Sequence, residues 1–178
     1  SGNLKDLALI VSDVPATAAG VFTKNRVVSP GVTWSRQALA KSGGCRAIVV
    51  NSGNANTVVG PQGFKDCDAI TKKIAEELSI PQKEVLIAST GVIGVPLPSY
   101  KILQAAPQLV QKLGRTPKNW TDASEAIMTT DLVSKSDKVS YNYKGHRILI
   151  GGMTKGSGMI HPNMATMLGF LCSNAVID

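Results

Sequence analysis

The chain has 178 residues, enough for one domain or two small ones and too few for a large multidomain assembly. Lys and Arg number 19 against 12 Asp and Glu, a formal charge of +7. Hydrophobic residues at 43% and charged residues at 17% describe a chain that buries a core and exclude intrinsic disorder. Aromatic residues are only 4%, and the positive residues are interleaved with acids. Both features argue against a nucleic-acid-binding module, which would stack bases on a clustered basic face.

No apolar run approaches the roughly 20 residues a membrane-spanning helix requires, so the chain reads as soluble. It opens Ser1-Gly2-Asn3-Leu4 without an initiator Met or a signal pattern, which predicts a natural start further upstream. Cys45, Cys67 and Cys172 have neither CxxC nor Cys/His metal spacing, and are expected to be reduced thiols in a cytosolic or organelle-matrix setting, with no zinc site.

In chain order, Asp6–Ser12 and Gly20–Thr23 read as two short strands separated by the turn-forming Asp13-Val14-Pro15. Cys45–Val50 is an apolar, β-branched run of the kind buried on both faces, and it stops at the polar loop Asn51-Ser52-Gly53-Asn54-Ala55-Asn56. From Phe64 to Leu78, the spacing of Cys67, Ile70, Ile74 and Leu78 predicts an amphipathic helix ended by Pro81. Glu84–Ala88 is a further strand, entering the glycine-containing loop Ser89-Thr90-Gly91-Val92-Ile93-Gly94. Ser99 is placed to cap a helix reaching Leu113, which Pro107 should kink or divide. Asp122-Ala123-Ser124-Glu125 has capping-box spacing and predicts a helix starting there and ending near Met128–Asp131. Lys138–Tyr143 and His146–Ile150 form a hairpin across Lys144-Gly145. The fold class expected is α+β, a layered α/β sandwich with a mixed sheet.

The chemistry concentrates late in the chain. Thr154-Lys155-Gly156-Ser157-Gly158 lacks the spacing of a phosphate-binding loop. Only His146 and His161 could serve a Ser-His-Asp triad, and His161 reads as a loop histidine before Pro162. A hydroxyl nucleophile without histidine needs another base, and the α-amine of an N-terminal threonine, with a reference pKa of about 7.7–8.0, is one. Ala165-Thr166 suits that route: the small Ala165 leaves Thr166 Oγ access to the preceding carbonyl, so that an N-to-O acyl shift and ester hydrolysis would expose the amine. The bland alternative for the pair is the start of a buried strand.

The segment Lys155-Gly156-Ser157-Gly158-Met159-Ile160-His161-Pro162-Asn163-Met164-Ala165-Thr166-Met167-Leu168 closely resembles the autoprocessing segment of the ornithine acetyltransferases, the glutamate N-acetyltransferases of arginine biosynthesis. The resemblance extends in order through Asn51–Asn56, Ser89–Gly94 and Ala126-Ile127-Met128-Thr129-Thr130-Asp131, and so covers nearly the whole chain. It implies a self-processing fold of the N-terminal-threonine acyltransferase type, divided into an α-chain region, 1–165, and the start of the β chain, 166–178. It implies cleavage between Ala165 and Thr166, with Thr166 as nucleophile and Thr90 and Gly91 as the oxyanion hole. Lys155 and one of Thr129 and Thr130, Thr129 preferred, match substrate-binding positions, as does Thr166 itself. Asn51–Asn56 would shape or support the site.

The reaction so implied moves an acetyl group from N2-acetyl-L-ornithine to L-glutamate through an acetyl-threonine. No cofactor or metal is implied, and acetyl-CoA is left open as a second acetyl donor. The implied partners are the β chain of the same precursor, in an α2β2 heterotetramer, with no nucleic acid and no membrane. The compartment is cytoplasmic, or an organelle matrix in a eukaryote. A self-processing amidase or aminopeptidase is the alternative reading.

Overall fold

The computed structural model describes residues 5–157 and 167–177. His161, Ala165 and Thr166 lie outside the described residues.

The apolar, β-branched runs recognisable in the sequence become the centre of the first sheet. Strand β1 (Leu7–Thr17) pairs antiparallel with β2 (Gly44–Asn51), and β2 pairs parallel with β3 (Val85–Ser89), giving a mixed sheet in the order β1-β2-β3. Alternation along these strands sends Leu9, Ala47, Val49, Val85 and Ile87 to one face, where they pack on α2 (Gln62–Leu78) and α3 (Ser99–Gln111) through Cys67, Ile70, Ile74, Ile102 and Ala106. Ala8 and Val50 point to the opposite face. There they meet Ala126 and Ile127, at the end of helix α4 (Pro117–Ala126), and Met153 from the second sheet.

That second sheet is an antiparallel meander of β4 (Lys135–Tyr143), β5 (His146–Lys155) and β6 (Leu168–Ser173). Its hairpin turns at Lys144 and Gly145, both at positive φ (46° and 79°), as a tight two-residue connection requires. The layers are therefore two helices, a mixed sheet, and then an antiparallel sheet with α4 wedged beside it: the layered α+β sandwich expected. On the β3 side the two sheets part around a cavity of about 1060 Å3, lined by Leu86, Ala88, Val139, Ile150 and Phe170.

The early chain departs from expectation in two places. β1 does not break at Asp13-Val14-Pro15: its register shifts between Val11 and Ala16, and pairing resumes at Ala16 with Cys45 and Thr17 with Gly44. The irregularity absorbs Pro15, which has no N–H to offer a ladder, while the Arg46 guanidinium donates to the Ser12 and Asp13 carbonyls. Gly20–Thr23, expected as a strand, is not one. Helix α1 (Pro30–Ser42) comes instead, opened by the Ser29 hydroxyl accepting from Val32 N–H with proline at the first turn, and closed by Gly43 at φ 63°. It covers the outer edge of β3. The Ser35 hydroxyl donates to Ile87 O (2.8 Å) and accepts from Ile87 N–H (3.0 Å), taking the place of a further strand.

Two later helices also begin differently. The Ser99 hydroxyl donates to Asp66 Oδ1 instead of capping α3, and α3 runs through Pro107 without dividing. α4 begins at Pro117, not Asp122, because Thr116 and Asn119 form a reciprocal capping box. Asp122 lies within the helix and pairs with Lys5 and Lys118.

Candidate active site

The parallel strands β2 and β3 end side by side, so the loops that follow them, 51–56 and 90–96, are folded against each other. Thr90 N–H donates to Asn51 O (3.0 Å), Val92 N–H to Gly53 O (3.2 Å) and Ala55 N–H to Val92 O (2.9 Å). The Asn51 side chain ties the junction: its Nδ2 donates to Asn54 O (2.8 Å) and its Oδ1 accepts from Ser89 Oγ (2.6 Å). Gly91 sits at φ 135° directly on the Gly53–Asn54 peptide, where a Cβ would overlap backbone atoms. The Thr90–Gly91 turn is thus moulded on the asparagine-rich loop, Asn51–Asn56.

The second sheet brings in the cation. Met153 and Lys155, two apart on β5, share the face that looks toward the first sheet, and both are buried; Lys155 is only 4% exposed. Its ammonium donates to Thr90 Oγ1 (3.1 Å) and to Thr129 Oγ1 (2.7 Å), which gathers three of the expected site residues around one nitrogen. Thr130 is not part of this cluster: its hydroxyl lies 3.2 Å from Ser157 Oγ. Both partners of Lys155 are neutral hydroxyls, and among the described residues no carboxylate stands within ion-pair distance of it. Burial accordingly lowers its pKa from the ordinary lysine value, with the charge of Asp131 acting to raise it and that of Lys135 to lower it further.

Asp131 is a residue the sequence reading left without a role. Its side chain is 1% exposed, and Oδ1 accepts from Lys135 Nζ (2.6 Å) and Gly156 N–H (2.8 Å) while Oδ2 faces Thr129 N–H (3.5 Å). Burial acts to raise the pKa of this carboxyl, but the Lys135 ammonium and the two N–H groups outweigh it and hold it below the ordinary aspartate value. The signal in the sequence was its place directly after Thr129-Thr130. Its partner Gly156 lies 25 positions on and could not be read from spacing.

Chemically, among the described residues the arrangement offers a buried ammonium with one N–H left to give, and two hydroxyls that accept from it and keep their own protons to donate. Such a cluster suits an anionic ligand. Nearby, the Met167 side chain lies against Gly156, and Leu168 pairs with Lys155.

The chain matches the ArgJ family over residues 2–178. It is 47% identical over 98% of its length to the arginine biosynthesis bifunctional protein ArgJ of Caldanaerobacter subterraneus, and 44% identical over 99% to the chloroplastic form of Citrullus lanatus. It spans 42% and 38% of those two proteins. Among solved structures, it superposes on ArgJ of Bacillus halodurans with a TM-score of 0.85 at 40% identity, covering 90% of this chain and 83% of that one. It superposes on the ornithine acetyltransferase of Mycobacterium tuberculosis complexed with ornithine at 0.79 and 38%, covering 90% and 84%. The agreement extends over sequence and fold alike, and the chain belongs to the ArgJ family.

Proposed function

We propose that this chain is the acyl-accepting part of an acetyltransferase that moves the acetyl group of N2-acetyl-L-ornithine to L-glutamate in arginine biosynthesis. The observation that carries the reading is the convergence of Thr129 and Thr90 on the buried ammonium of Lys155, a strand residue that pairs with Leu168. Residues 1–165 form the α-chain region and 166–178 begin the β chain, which is released when the bond between Ala165 and Thr166 is cut.

In the first half-reaction, Thr166 Oγ adds to the acetyl carbonyl while its own α-amine takes the hydroxyl proton. The Thr90 hydroxyl and the Gly91 N–H receive the oxyanion. Collapse of the adduct breaks the amide C–N bond, and the leaving amine of ornithine collects the proton from the α-ammonium. The glutamate amine then attacks the acetyl ester, and the threonine hydroxyl is restored as N-acetylglutamate leaves. Lys155 and Thr129 hold the substrate carboxylate. The chemistry needs no metal or organic cofactor, and acetyl-CoA is an alternative acetyl donor.

The active assembly is an α2β2 heterotetramer in the cytoplasm, or in an organelle matrix in a eukaryote. Chloroplastic relatives agree with the second setting. Among the described residues no helix is long and apolar enough to cross a membrane.

Intact-mass analysis of the full-length protein, paired with an acetyl-transfer assay, tests the reading. Two fragments dividing at Ala165/Thr166, loss of both the split and the transfer in Thr166→Ala, and transfer to glutamate in preference to water are expected. Full activity from an unsplit chain, or hydrolysis without transfer, overturns it.

A further inference from the structure

We propose that Asp131 is a positioning residue for this reaction: it fixes Lys155 and Thr129 as a preformed carboxylate receptor, while Lys135 occupies its charge so that the Lys155 ammonium stays available to substrate.

The geometry supplies the argument. Asp131 joins two separate stretches of chain, the turn after α4 through Thr129 N–H and the end of β5 through Gly156 N–H. The first anchor and the neighbour of the second are the residues that meet: Thr129 Oγ1 accepts from Lys155 Nζ at 2.7 Å. A carboxylate so close to a buried lysine would ordinarily form the ion pair itself, and a lysine already paired is a poor receptor for a second carboxylate. Here Asp131 Oδ1 instead accepts from the Lys135 ammonium at 2.6 Å. Lys135 is partly exposed, at 40%, whereas the Asp131 side chain is 1% exposed, so the buried acid is neutralised from the solvent side and Lys155 from the ligand side.

Among the described residues, Asp131 and Lys135 are the charged groups that act on Lys155, and they act in opposite senses, the first favouring the protonated amine and the second opposing it. Removing each should therefore shift the working pH range in opposite directions. A purely structural part for Asp131 would not do this.

The inference rests on Lys155 receiving the substrate carboxylate, and the test separates the two ideas. The glutamate KM is followed against pH for the full-length enzyme and for its Asp131→Asn and Lys135→Met variants. In Asp131→Asn the alkaline rise in KM should begin about one pH unit lower, with KM changing more than kcat. In Lys135→Met it should begin higher. Profiles that coincide with that of the parent enzyme overturn the proposal. If Asp131→Asn does not fold, Lys135→Met decides: an upward shift supports the proposal and an unmoved profile overturns it. A parent enzyme that fails to acetylate glutamate overturns the functional reading and the proposal together, whereas normal parent activity with coincident profiles overturns the proposal alone.

Discussion

The Lys155 ammonium and the Thr90 hydroxyl meet at 3.1 Å across the gap between the two sheets, although 65 positions separate them in the chain. Because Thr90 accepts from the lysine, its own proton is free to be given to another oxygen, and the cation behind it makes the hydroxyl a stronger donor. Thr90→Val keeps the branched shape and deletes the donor. The expected result is a fall in kcat of about 10^2–10^3-fold, the usual loss for one oxyanion donor, with Thr90→Ser retaining most of the activity. Steady-state acetyl transfer checks it, and equal activity in Thr90→Val would remove Thr90 from the oxyanion hole.

Gly91 and Gly53 allow a controlled comparison. Both have positive φ, 135° and 89°, yet a Cβ on Gly91 would run into the Gly53–Asn54 backbone whereas one on Gly53 meets nothing within 4 Å. Gly53→Ala should show the backbone strain alone, about 1–3 kcal/mol. Gly91→Ala should be destabilised further and should also lose activity, because relieving the overlap separates the two loops. Urea unfolding of the two variants, side by side, measures the difference.

Much of the frame was legible from residue pattern. Cys45–Val50 and Glu84–Ala88 are short apolar runs bounded by polar loops, and such runs keep their identity wherever they are buried. The periodicity of Cys67, Ile70 and Ile74 likewise declares a helix lying on a sheet. What escaped depended on partners distant in sequence. Asp13-Val14-Pro15 looks like a turn until Arg46 supplies donors to the carbonyls beside it. Helix α1 is weakly amphipathic, because much of what it contributes is a hydroxyl and an indole N–H turned toward the edge of β3. At the site, the family pattern pointed to Thr90, Thr129 and Lys155 singly. That they share one nitrogen, and that Asp131 stands behind them, follows only from the way the end of β5 meets the residue after β3 and the turn after α4.

Asn51 holds the shape of the Thr90–Gly91 turn through three hydrogen bonds. Asn51→Ala leaves Ser89 Oγ and Asn54 O without the partners they now have; both are only half-buried, so each lost bond should cost about 1 kcal/mol. Amide hydrogen exchange at Thr90 and Val92, which donate to Asn51 O and Gly53 O, should accelerate well beyond exchange in the core of β3. Uniform acceleration across the sheet would show instead that Asn51 serves global stability.

Two buried thiols give the fold an alkaline limit. Burial pushes Cys45 up to about 11 and Cys67 up to about 12, the second also raised by neighbouring Asp66 and slightly relieved by the Asn56 amide. A group that holds its proton more tightly when folded contributes stability fully at pH values below its unfolded pKa, and that contribution falls as pH rises toward the folded value. The loss therefore begins near pH 9 and runs through 11 to 12, with a slope of about 1.4 kcal/mol per pH unit for each thiol inside the window. Cys45→Ala and Cys67→Ala open small cavities and lower stability at every pH, but combined they should flatten the decline between pH 9 and 11 relative to the parent chain. Urea midpoints at pH 7, 9, 10 and 11 provide the measurement. Parallel curves for parent and double variant would assign the alkaline loss to other groups. Alkylation gives an independent check: at pH 8 both thiols are almost wholly protonated and enclosed, so iodoacetamide should leave them unmodified until urea unfolds the chain.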